Sequence, residues 1–549
     1  MFDATGAFPL TATFESAMQS YGLTVDKFLD HAAKWFGVRE VVEADGGAVS
    51  RRIGYAALRT RSNRMSGALQ ALGLEFGDRV ATLAWNTQHH LEAYYAAMGV
   101  GLVCHTLNPR LTSAHLVTMI NEAQDRVLFV AVDLLPLVRA LIADCPTIRH
   151  VVVIDAPAPD GAALDVRVWD YEALLAEHGA ETVWGDFDEH VAAGLCYTSG
   201  TTGPPKGVVY THRSNYLHTL RALQADTMAL TARDVLLLGV PMFHANGWGL
   251  PFSAPGAGTK LVLPGRLLDG ASLARVMRDE RVTVAVGVQT VWLGLVDHLD
   301  RTGDALPDLQ RILIGGSSCP EALLERMEER LGVHVQTSWG MTELSPTGTL
   351  SPPYPTGQSR ASSGRPPLGV DLKLTDALGV TLPDQRDTLG YLKVRGPSVL
   401  DRYFQAESDA LDEEGYFDTG DLATIDADGN LTIGGRAKDL IKSGGEWINP
   451  NEIEAVVGMH PSVRHVAVIA RPDPRWGERP VLVVETHGDG ETGARVLLDL
   501  LRGKVAEFWI PDQVAEVTAM PLAATGKIDK VRLSADFAAG RIAVQKVAR

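Results

Sequence analysis

The chain has 549 residues, which is too many for one ordinary domain, and 46% of them are hydrophobic, so it can bury a large core. Its 67 acidic and 50 basic residues give a formal net charge of −17. This charge argues against a nucleic-acid partner, because the long-range field of the protein would repel one.

The cysteines and the first residues bear on the cellular compartment. Cys104, Cys145, Cys196 and Cys319 lie far apart with no CxxC pair, which argues against both a disulfide framework and a zinc site. The start, MFDATGAFPLTATFESAMQ, has no basic segment before a continuous apolar run, and no stretch approaches the roughly 18–20 apolar residues of a membrane span. The sequence therefore predicts a cytoplasmic protein with no transmembrane segment.

Helix-like and strand-like apolar patterns alternate along the first 340 residues. Helical spacing in Tyr55–Leu72 is followed by a buried-strand pattern in Val80–Trp85, and further pairs continue to the strand His150–Asp155. The alternation resumes at the strand Val235–Val240 and continues to the helix Pro320–Arg330. Such a pattern predicts mostly parallel sheets covered by helices, here as two consecutive α/β lobes with sites at the carboxyl ends of their strands.

The rest of the chain predicts two smaller units. From Gly364 to Arg395, prolines, glycines and short alternating strands indicate a β-rich unit. A last module begins near Arg436 and contains three strand patterns and a helix around Val496–Glu507. We therefore predict an α/β fold with a large N-terminal domain, residues 1–435, which contains both lobes and the β-rich unit. A small α+β C-terminal domain, residues 436–549, follows it.

The segment 197–208, YTSGTTGPPKGV, has the composition of a phosphate-binding loop. Its glycines can turn successive amides inward, its hydroxyl residues add donors, and Lys206 adds a positive charge. It is not a Walker A loop, because the lysine follows two prolines and precedes Gly207. The alternative is a flexible Gly/Ser/Thr connector.

Two acidic residues suggest how a nucleotide could be held. Glu343 closes the segment TSWGMTE; a carboxylate beside a polyphosphate needs a divalent cation, and Mg²⁺ prefers carboxylate and phosphate oxygens. Asp421, in YFDTGDL, can accept both hydroxyls of a ribose, and Arg436, in GGRAKD, can donate to the same sugar or to phosphate. The alternatives are a helix cap for Glu343 and a surface salt bridge for the other two.

These segments, with PMFHANGW (241–248), GGSS (315–318), SGGEW (443–447) and PLAATGK (521–527), resemble the motifs of the adenylate-forming superfamily. That superfamily comprises acyl-CoA synthetases, adenylation domains of peptide synthetases, and luciferases. The likeness runs from about Trp85 to Lys527 and is closest to medium- and long-chain fatty-acyl-CoA synthetases. It implies ATP and AMP binding by Thr198, Ser199, Gly200, Thr201, Thr202, Gly203, Lys206, Gly315, Gly316, Ser317, Ser318, Trp339, Gly340, Met341, Thr342, Asp421 and Arg436.

The resemblance also implies the remaining roles. Thr198 and Glu343 would bind Mg²⁺, and Lys527, His244 and Lys206 would be catalytic. The C-terminal domain would be mobile, with its hinge near Lys438. The acyl pocket would be lined by His244, Trp248, Val288, Gly316 and Gly340, and the CoA site by Gly444, Gly445 and Trp447.

The resulting hypothesis is an ATP-dependent acid–CoA ligase. It would activate a medium-to-long-chain fatty acid as acyl-AMP, release pyrophosphate and transfer the acyl group to CoA. The alternatives are a CoA ligase for a short thio- or arylalkanoic acid such as 3-methylthiopropionate, an adenylation enzyme that loads a carrier protein or stops at acyl-AMP, and a non-catalytic nucleotide-binding protein. The resemblance further suggests a homodimer formed through the N-terminal region.

Overall fold

The structure is a computed structural model that describes residues 18–159, 164–198, 205–316, 319, 321–355, 362–444, 446–487, 493–522 and 528–547. The first part of the chain alternates helices and strands. Its elements are α1 Asp26–Trp35, β1 Glu40–Asp45, β2 Ala48–Gly54, α2 Tyr55–Ala71, β3 Arg79–Leu83, α3 Gln88–Gly99, β4 Val103–Thr106, α4 Ser113–Ala123, β5 Val127–Ala131, α5 Leu135–Leu141, β6 His150–Ile154, β7 Arg167–Asp170, α6 Tyr171–His178, β8 Ala192–Thr198 and β9 Lys206–Thr211.

The second part continues the alternation. Its elements are α7 His212–Ala222, β10 Val235–Leu238, α8 Leu250–Ala257, β11 Lys260–Leu263, α9 Gly270–Asp279, β12 Val284–Val288, α10 Gln289–Thr302, β13 Arg311–Gly315, α11 Glu321–Leu331, β14 His334–Gly340 and β15 Thr347–Leu350.

These elements form two mostly parallel sheets. One has the strand order β7-β6-β5-β3-β4-β8-β9, and the other β15-β14-β13-β12-β10-β11-β1-β2. The β1–β2 hairpin therefore belongs to the second sheet, where β1 pairs in parallel with β11. The prediction of two consecutive lobes is wrong at this point, because the pairing of Val41 with Leu261, far along the chain, leaves no trace in local periodicity.

Helix α3 joins the two lobes. Every residue of Gln88–Gly99 is buried, and the core around it includes strand residues of both sheets, such as Val80 and Leu238. The hydroxyl of Tyr94 donates to the carbonyl of Met242, and that of Tyr95 donates to Pro251 at 2.8 Å. The helix thus fixes both ends of the turn between β10 and α8.

The last part of the chain is β-rich and then α+β. Its elements are β16 Asp371–Thr375, β17 Gly390–Arg395, β18 Phe417–Ile425, β19 Leu431–Arg436, β20 Ile441–Ser443, β21 Glu446–Ile448, α12 Pro450–Gly458, β22 Val463–Asp473, β23 Gly477–Thr486, α13 Ala494–Asp499, β24 Gln513–Glu516, α14 Lys530–Ala538 and β25 Val544–Lys546. Strands β16 to β19 form one antiparallel sheet, and β20 to β25 form a mixed sheet in which β23 and β24 pair in parallel.

The predicted fold class is confirmed: the chain is α/β, with a large N-terminal part and a smaller C-terminal one. The β-rich unit extends beyond the predicted Arg395 to Arg436. The helix predicted around Val496–Glu507 is shorter in the structure, where α13 spans only Ala494–Asp499. None of the helices in the described ranges combines the length and hydrophobicity that a bilayer crossing requires.

Candidate active site

The carboxyl ends of neighbouring parallel strands bring predicted site residues to one edge of the second sheet. Strand β12 ends at Val288, β13 at Gly315 and β14 at Gly340, and Val288 pairs in register with Gly315. Because these strands run parallel, their ends lie side by side, where ligands bind in open α/β sheets.

The turn between β10 and α8 has a left-handed backbone. Residues 245 to 249 have φ angles between 44° and 73°, and Ala245, Asn246 and Trp248 among them are not glycines. A left-handed conformation costs about 1–2 kcal/mol per non-glycine residue. The contacts of the surrounding structure, including those of Tyr94 and Tyr95, hold this turn in place, and such strain is typical of ligand sites.

Trp248 lies against the loop that follows β13. Its side chain is buried, and its ring atom Cη2 is 2.9 Å from the position of a Cβ on Gly315. A Cβ on Gly316, which has a φ of 84°, would lie 3.5 Å from both the Trp248 ring and Val288. The structure therefore brings together four residues of the predicted acyl and adenine regions. His244 lines a small cavity together with Tyr197, at the end of β8.

Trp339, Asp421 and Arg436 form a connected group. The indole N–H of Trp339 donates to Asp421 Oδ2 at 2.8 Å, and Arg436 Nε lies 2.9 Å from Asp421 Oδ1. Asp421 and Arg436 are opposite each other on β18 and β19, and Asp421 is buried. Arg436 also donates to the carbonyl of Thr419 at 2.9 Å. The acid and the base that the sequence predicts for ribose binding are thus already paired.

Glu343 is a buried carboxylate in a short 3-10 turn, Thr342–Leu344, directly after β14. A hydrogen bond from β9 stabilises this turn: the hydroxyl of Tyr210 donates to the carbonyl of Thr342 at 2.8 Å. Burial raises the pKa of Tyr210 well above its usual value, so this tyrosine stays a phenol donor. Leu400 N donates to the carbonyl of Glu343 at 2.9 Å.

Lys206 begins β9, opposite Thr198 on β8. Its ammonium lies 4.8 Å from the ring centroid of Tyr403, and the hydroxyl of Tyr403 donates to Glu343 Oε1 at 2.8 Å. Burial, with the charge of Glu343 adding to it, raises the pKa of Tyr403, so this hydroxyl also remains a donor. One tyrosine therefore contacts both the predicted phosphate lysine and the predicted metal ligand.

The donors present fit Mg²⁺. Glu343 offers a buried carboxylate, one oxygen of which accepts a hydrogen bond from Tyr403. Thr198, the last residue of β8, offers a hydroxyl. Across the described ranges there is no cluster of three or more His, Cys, Asp or Glu side chains placed to hold a metal. A site with one carboxylate suits Mg²⁺, which is usually bound by one or two carboxylates together with substrate phosphates and water.

Other predicted nucleotide residues surround Glu343. Gly340 has no room for a side chain, since a Cβ would lie 2.2 Å from the carbonyl oxygen of Pro346. Met341 N donates to the same carbonyl at 3.0 Å. The predicted residues Ser199, Gly200, Thr201, Thr202, Gly203, Ser317, Ser318, Gly445 and Lys527 lie outside the described residues.

The predicted CoA face lies on the C-terminal sheet. Gly444 has a φ of 63°, and a Cβ there would lie 2.8 Å from the ring of Trp476. Trp447, on β21, is 51% exposed. Lys438 lies in the 3-10 turn Ala437–Asp439, between the β-rich sheet and this one. The domain boundary and the hinge remain predictions.

Sequence reasoning missed Tyr403 as a site residue. It lies in a loop between β17 and β18, in none of the segments singled out above. Only its contacts with Lys206 and Glu343, which are 60 residues or more away, reveal its position.

Comparisons with known proteins identify the family. The sequence profile described as AMP-binding enzyme matches residues 29–404, and that of the AMP-binding enzyme C-terminal domain matches residues 452–527. The chain belongs to the AMP-binding enzyme family.

Curated relatives are similar over nearly the whole chain. The 3-methylmercaptopropionyl-CoA ligase of Ruegeria lacuscaerulensis is 42% identical over 95% of this chain and 98% of its own. The medium-chain-fatty-acid–CoA ligase of Ectopseudomonas oleovorans is 41% identical over 93% and 95%. The long-chain-fatty-acid–CoA ligase of Thermus thermophilus is 40% identical over 95% and 97%.

Solved structures share the fold. ATP-bound MatB from Rhodopseudomonas palustris has a TM-score of 0.83 at 25% identity, covering 94% of this chain and 99% of that one. The o-succinylbenzoate CoA synthetase MenE from Bacillus subtilis, in complex with ATP and a magnesium ion, has a TM-score of 0.78 at 26% identity, covering 92% and 99%.

These findings confirm the predicted adenylate-forming superfamily and the likeness to fatty-acyl-CoA synthetases. They also confirm the predicted class of enzyme, an AMP-forming acid–CoA ligase. The roles of the individual residues remain predictions.

Proposed function

We propose that the chain joins a medium-to-long-chain fatty acid to CoA in two steps, with ATP as the activating substrate. The carboxylate attacks the α-phosphorus of ATP, pyrophosphate leaves, and the thiol of CoA then attacks the acyl-AMP. The observation that carries the proposal is that Tyr403 contacts both Lys206 and Glu343, which lie far apart in sequence. Arg436, the partner of Asp421, is close enough to Tyr403 to oppose the rise of its pKa.

The nucleotide would be held by groups that already make the right kinds of contact. Asp421 has two oxygens that can accept ribose hydroxyls, and the ring of Trp339 offers a face for the adenine. Lys206 and the loop 199–203 would bind the phosphates that leave. Mg²⁺, held by Glu343 and Thr198, would supply positive charge beside the phosphate oxygens.

Lys527 would provide the remaining positive charge at the α-phosphate during adenylation. Negative charge accumulates on the phosphate oxygens in that step, and preorganised positive groups lower its barrier. The small domain would then turn about Lys438 and present Gly444, Gly445 and Trp447 to CoA. His244, beside Tyr197 in one cavity, would contact the carboxylate of the acid.

The acyl chain would lie against Trp248, Val288 and Gly316. The apolar side chains of Trp248 and Val288 both lie 3.5 Å from the position of a Cβ on Gly316, and apolar groups of this kind suit an aliphatic chain. The relatives named for medium- and long-chain fatty acids support this substrate. The alternative, a short thio acid, is supported by the relative named as a 3-methylmercaptopropionyl-CoA ligase, and identities of 42%, 41% and 40% do not separate these substrates.

The experiment that tests the proposal is pyrophosphate release across a panel of acids, with and without CoA. The panel contains saturated fatty acids of increasing length, 3-methylthiopropionate and an arylalkanoic acid. We expect the highest kcat/KM for a medium or long fatty acid, and full turnover only with CoA. Highest turnover with 3-methylthiopropionate would favour the alternative substrate, and turnover with a carrier-protein thiol but not with CoA would favour an adenylation enzyme.

We also propose a homodimer, which follows from the resemblance to fatty-acyl-CoA synthetases, and a cytoplasmic location, which follows from the spacing of the cysteines and the lack of a long apolar stretch. Sedimentation velocity and cell fractionation measure them directly. A monomer at micromolar concentration would contradict the first, and recovery in the membrane fraction would contradict the second.

A further inference from the structure

Tyr403 lies between two opposite charges of the candidate site. Its hydroxyl donates to Glu343 Oε1 at 2.8 Å, and its ring centroid is 4.8 Å from the ammonium of Lys206. The distance to the ring is within the roughly 6 Å over which a cation is attracted to an aromatic face. Among the described residues, neither Lys206 nor Glu343 forms an ion pair.

The segment that carries Tyr403 is fixed to both motifs. Leu400 N donates to the carbonyl of Glu343 at 2.9 Å, and Phe404 N donates to the carbonyl of Gly207 at 2.8 Å. Gly207 permits this approach, because a Cβ there would lie 2.8 Å from Cβ of Phe404. The Tyr403 ring also packs edge-on against Phe417, with centroids 6.4 Å apart. The segment 400–404 thus connects the strand after the phosphate loop to the turn of Glu343.

This position has a consequence for the two charges. A direct Lys206–Glu343 ion pair would occupy both groups, whereas the tyrosine ring holds the ammonium by a weaker interaction of about 0.5–2 kcal/mol. A phosphate, which forms stronger charge-assisted hydrogen bonds, can therefore draw the lysine away. The Tyr403 hydroxyl binds one oxygen of Glu343, and this hydrogen bond orients the carboxylate so that its second oxygen can face a cation.

We propose that Tyr403 is a positioning residue for Mg²⁺ and ATP: its hydroxyl orients the Glu343 carboxylate, and its ring keeps Lys206 close to that carboxylate without pairing with it. The proposal rests on the proposed function, in that Glu343 is taken to bind Mg²⁺ and Lys206 to bind phosphate.

Two substitutions separate the hydroxyl from the ring. Tyr403→Phe keeps the ring under Lys206 and removes the donor to Glu343, whereas Tyr403→Leu removes both. The measurement is ATP affinity by calorimetry, without acid or CoA, in EDTA and over a titration of Mg²⁺. Tyr403→Phe should leave ATP affinity in EDTA unchanged. It should raise about 10-fold or more the Mg²⁺ concentration at which the Mg²⁺-dependent gain in ATP affinity is half complete, as is typical when the partner of a ligating carboxylate is lost. Tyr403→Leu should in addition weaken ATP binding in EDTA.

Tyr416→Phe is the matched control. The hydroxyl of Tyr416 donates to Asp371 at 2.6 Å and its ring lies 4.0 Å from the ammonium of Lys373, neither of which belongs to the proposed site. This variant should match the wild type in both measurements. If Tyr403→Phe, with an unchanged melting temperature, also matches the wild type in its Mg²⁺ titration, the proposal is overturned. If the wild-type protein itself binds no ATP with or without Mg²⁺, the proposed function fails instead, and this inference fails with it.

Discussion

Trp339 and Asp421 are joined by a hydrogen bond of 2.8 Å across 82 positions of sequence. The bond links the end of β14 in the second sheet to β18 in the β-rich sheet. Because Arg436 contacts the other oxygen of Asp421, the carboxylate is fixed at both oxygens. A nucleoside held by these residues, as we propose, would lie where these two sheets meet.

Substitution of Asp421 should weaken nucleotide binding. Asp421→Ala removes the partner of both Trp339 and Arg436, and hydrogen bonds to a charged group contribute about 1.5–3 kcal/mol each. We expect ATP affinity, measured by calorimetry, to fall about 10- to 100-fold, with a change in tryptophan fluorescence. The exposed Asp428→Ala is the control. ATP affinity equal to the wild type would contradict the assigned role.

Substitution of Trp248 should change the choice of acid more than the affinity for ATP. Trp248→Ala removes the ring that lies against Gly315 and Gly316, so the proposed acyl pocket would gain volume. We expect the acid profile to shift towards longer or bulkier acids and kcat/KM for the best wild-type acid to fall about 10-fold. The KM for ATP should change by no more than about two-fold. Trp35→Ala, at a site that is 66% exposed, is the control, and an unchanged acid profile would contradict the assignment.

His90 should contribute to a loss of stability in acid. It is fully buried on α3, its Nδ1 donates to the carbonyl of Trp85 at 2.8 Å, and burial lowers the pKa of His90 to about 4. In the unfolded chain the pKa of His90 is about 6.5, so between pH 6.5 and 4 the unfolded chain binds a proton at His90 that the folded chain does not. The stabilisation is present above pH 6.5 and is lost as the pH falls towards 4, by up to about 1.4 kcal/mol per pH unit.

The measurement is the urea midpoint of unfolding at pH 7 and pH 5. His90→Asn should lower the midpoint at pH 7 and show a smaller difference between the two pH values than the wild type. His190→Gln, whose side chain is 68% exposed, is the control and should keep the wild-type difference. An equal pH difference in His90→Asn and the wild type would show that His90 does not titrate on unfolding in this range.

Substitution of Lys527 should separate the two half-reactions. Loss of a preorganised positive group that acts mainly in the transition state costs about 3–4 kcal/mol, so Lys527→Ala should slow adenylation by 10²–10³-fold. Thioester formation from supplied acyl-AMP and CoA should fall by no more than a few fold. Lys504→Ala, at an exposed position of the same domain, is the control. Similar losses in both steps would contradict the proposed rotation of the C-terminal domain.

Much of the fold and part of the site could be predicted from the sequence, because they depend on local patterns. The alternation of apolar periods predicted the parallel sheets, and the ends of β12, β13 and β14 are the predicted site residues Val288, Gly315 and Gly340. Glycine at position 340 is explained by the nearby Pro346 carbonyl, which leaves no space for a Cβ.

What could not be predicted depends on distant contacts. The addition of β1 to the second sheet is a pairing with β11, and the place of Tyr403 is set by Lys206 and Glu343. The positive φ of Ala245 and Trp248 in the turn before α8 could not be predicted either, because these residue types do not favour it, whereas Asn246, Gly247 and Gly249 do. These features depend on tertiary contacts that apolar spacing does not encode.

The proposed function requires that the chain activates an acid with ATP before CoA takes part. The most direct measurement is acid-dependent exchange of labelled pyrophosphate into ATP in the absence of CoA. We predict exchange that requires both Mg²⁺ and a fatty acid, and that disappears in Glu343→Ala, where the buried carboxylate is lost. Absence of exchange with every acid tested, in protein that is folded and binds ATP, would contradict it.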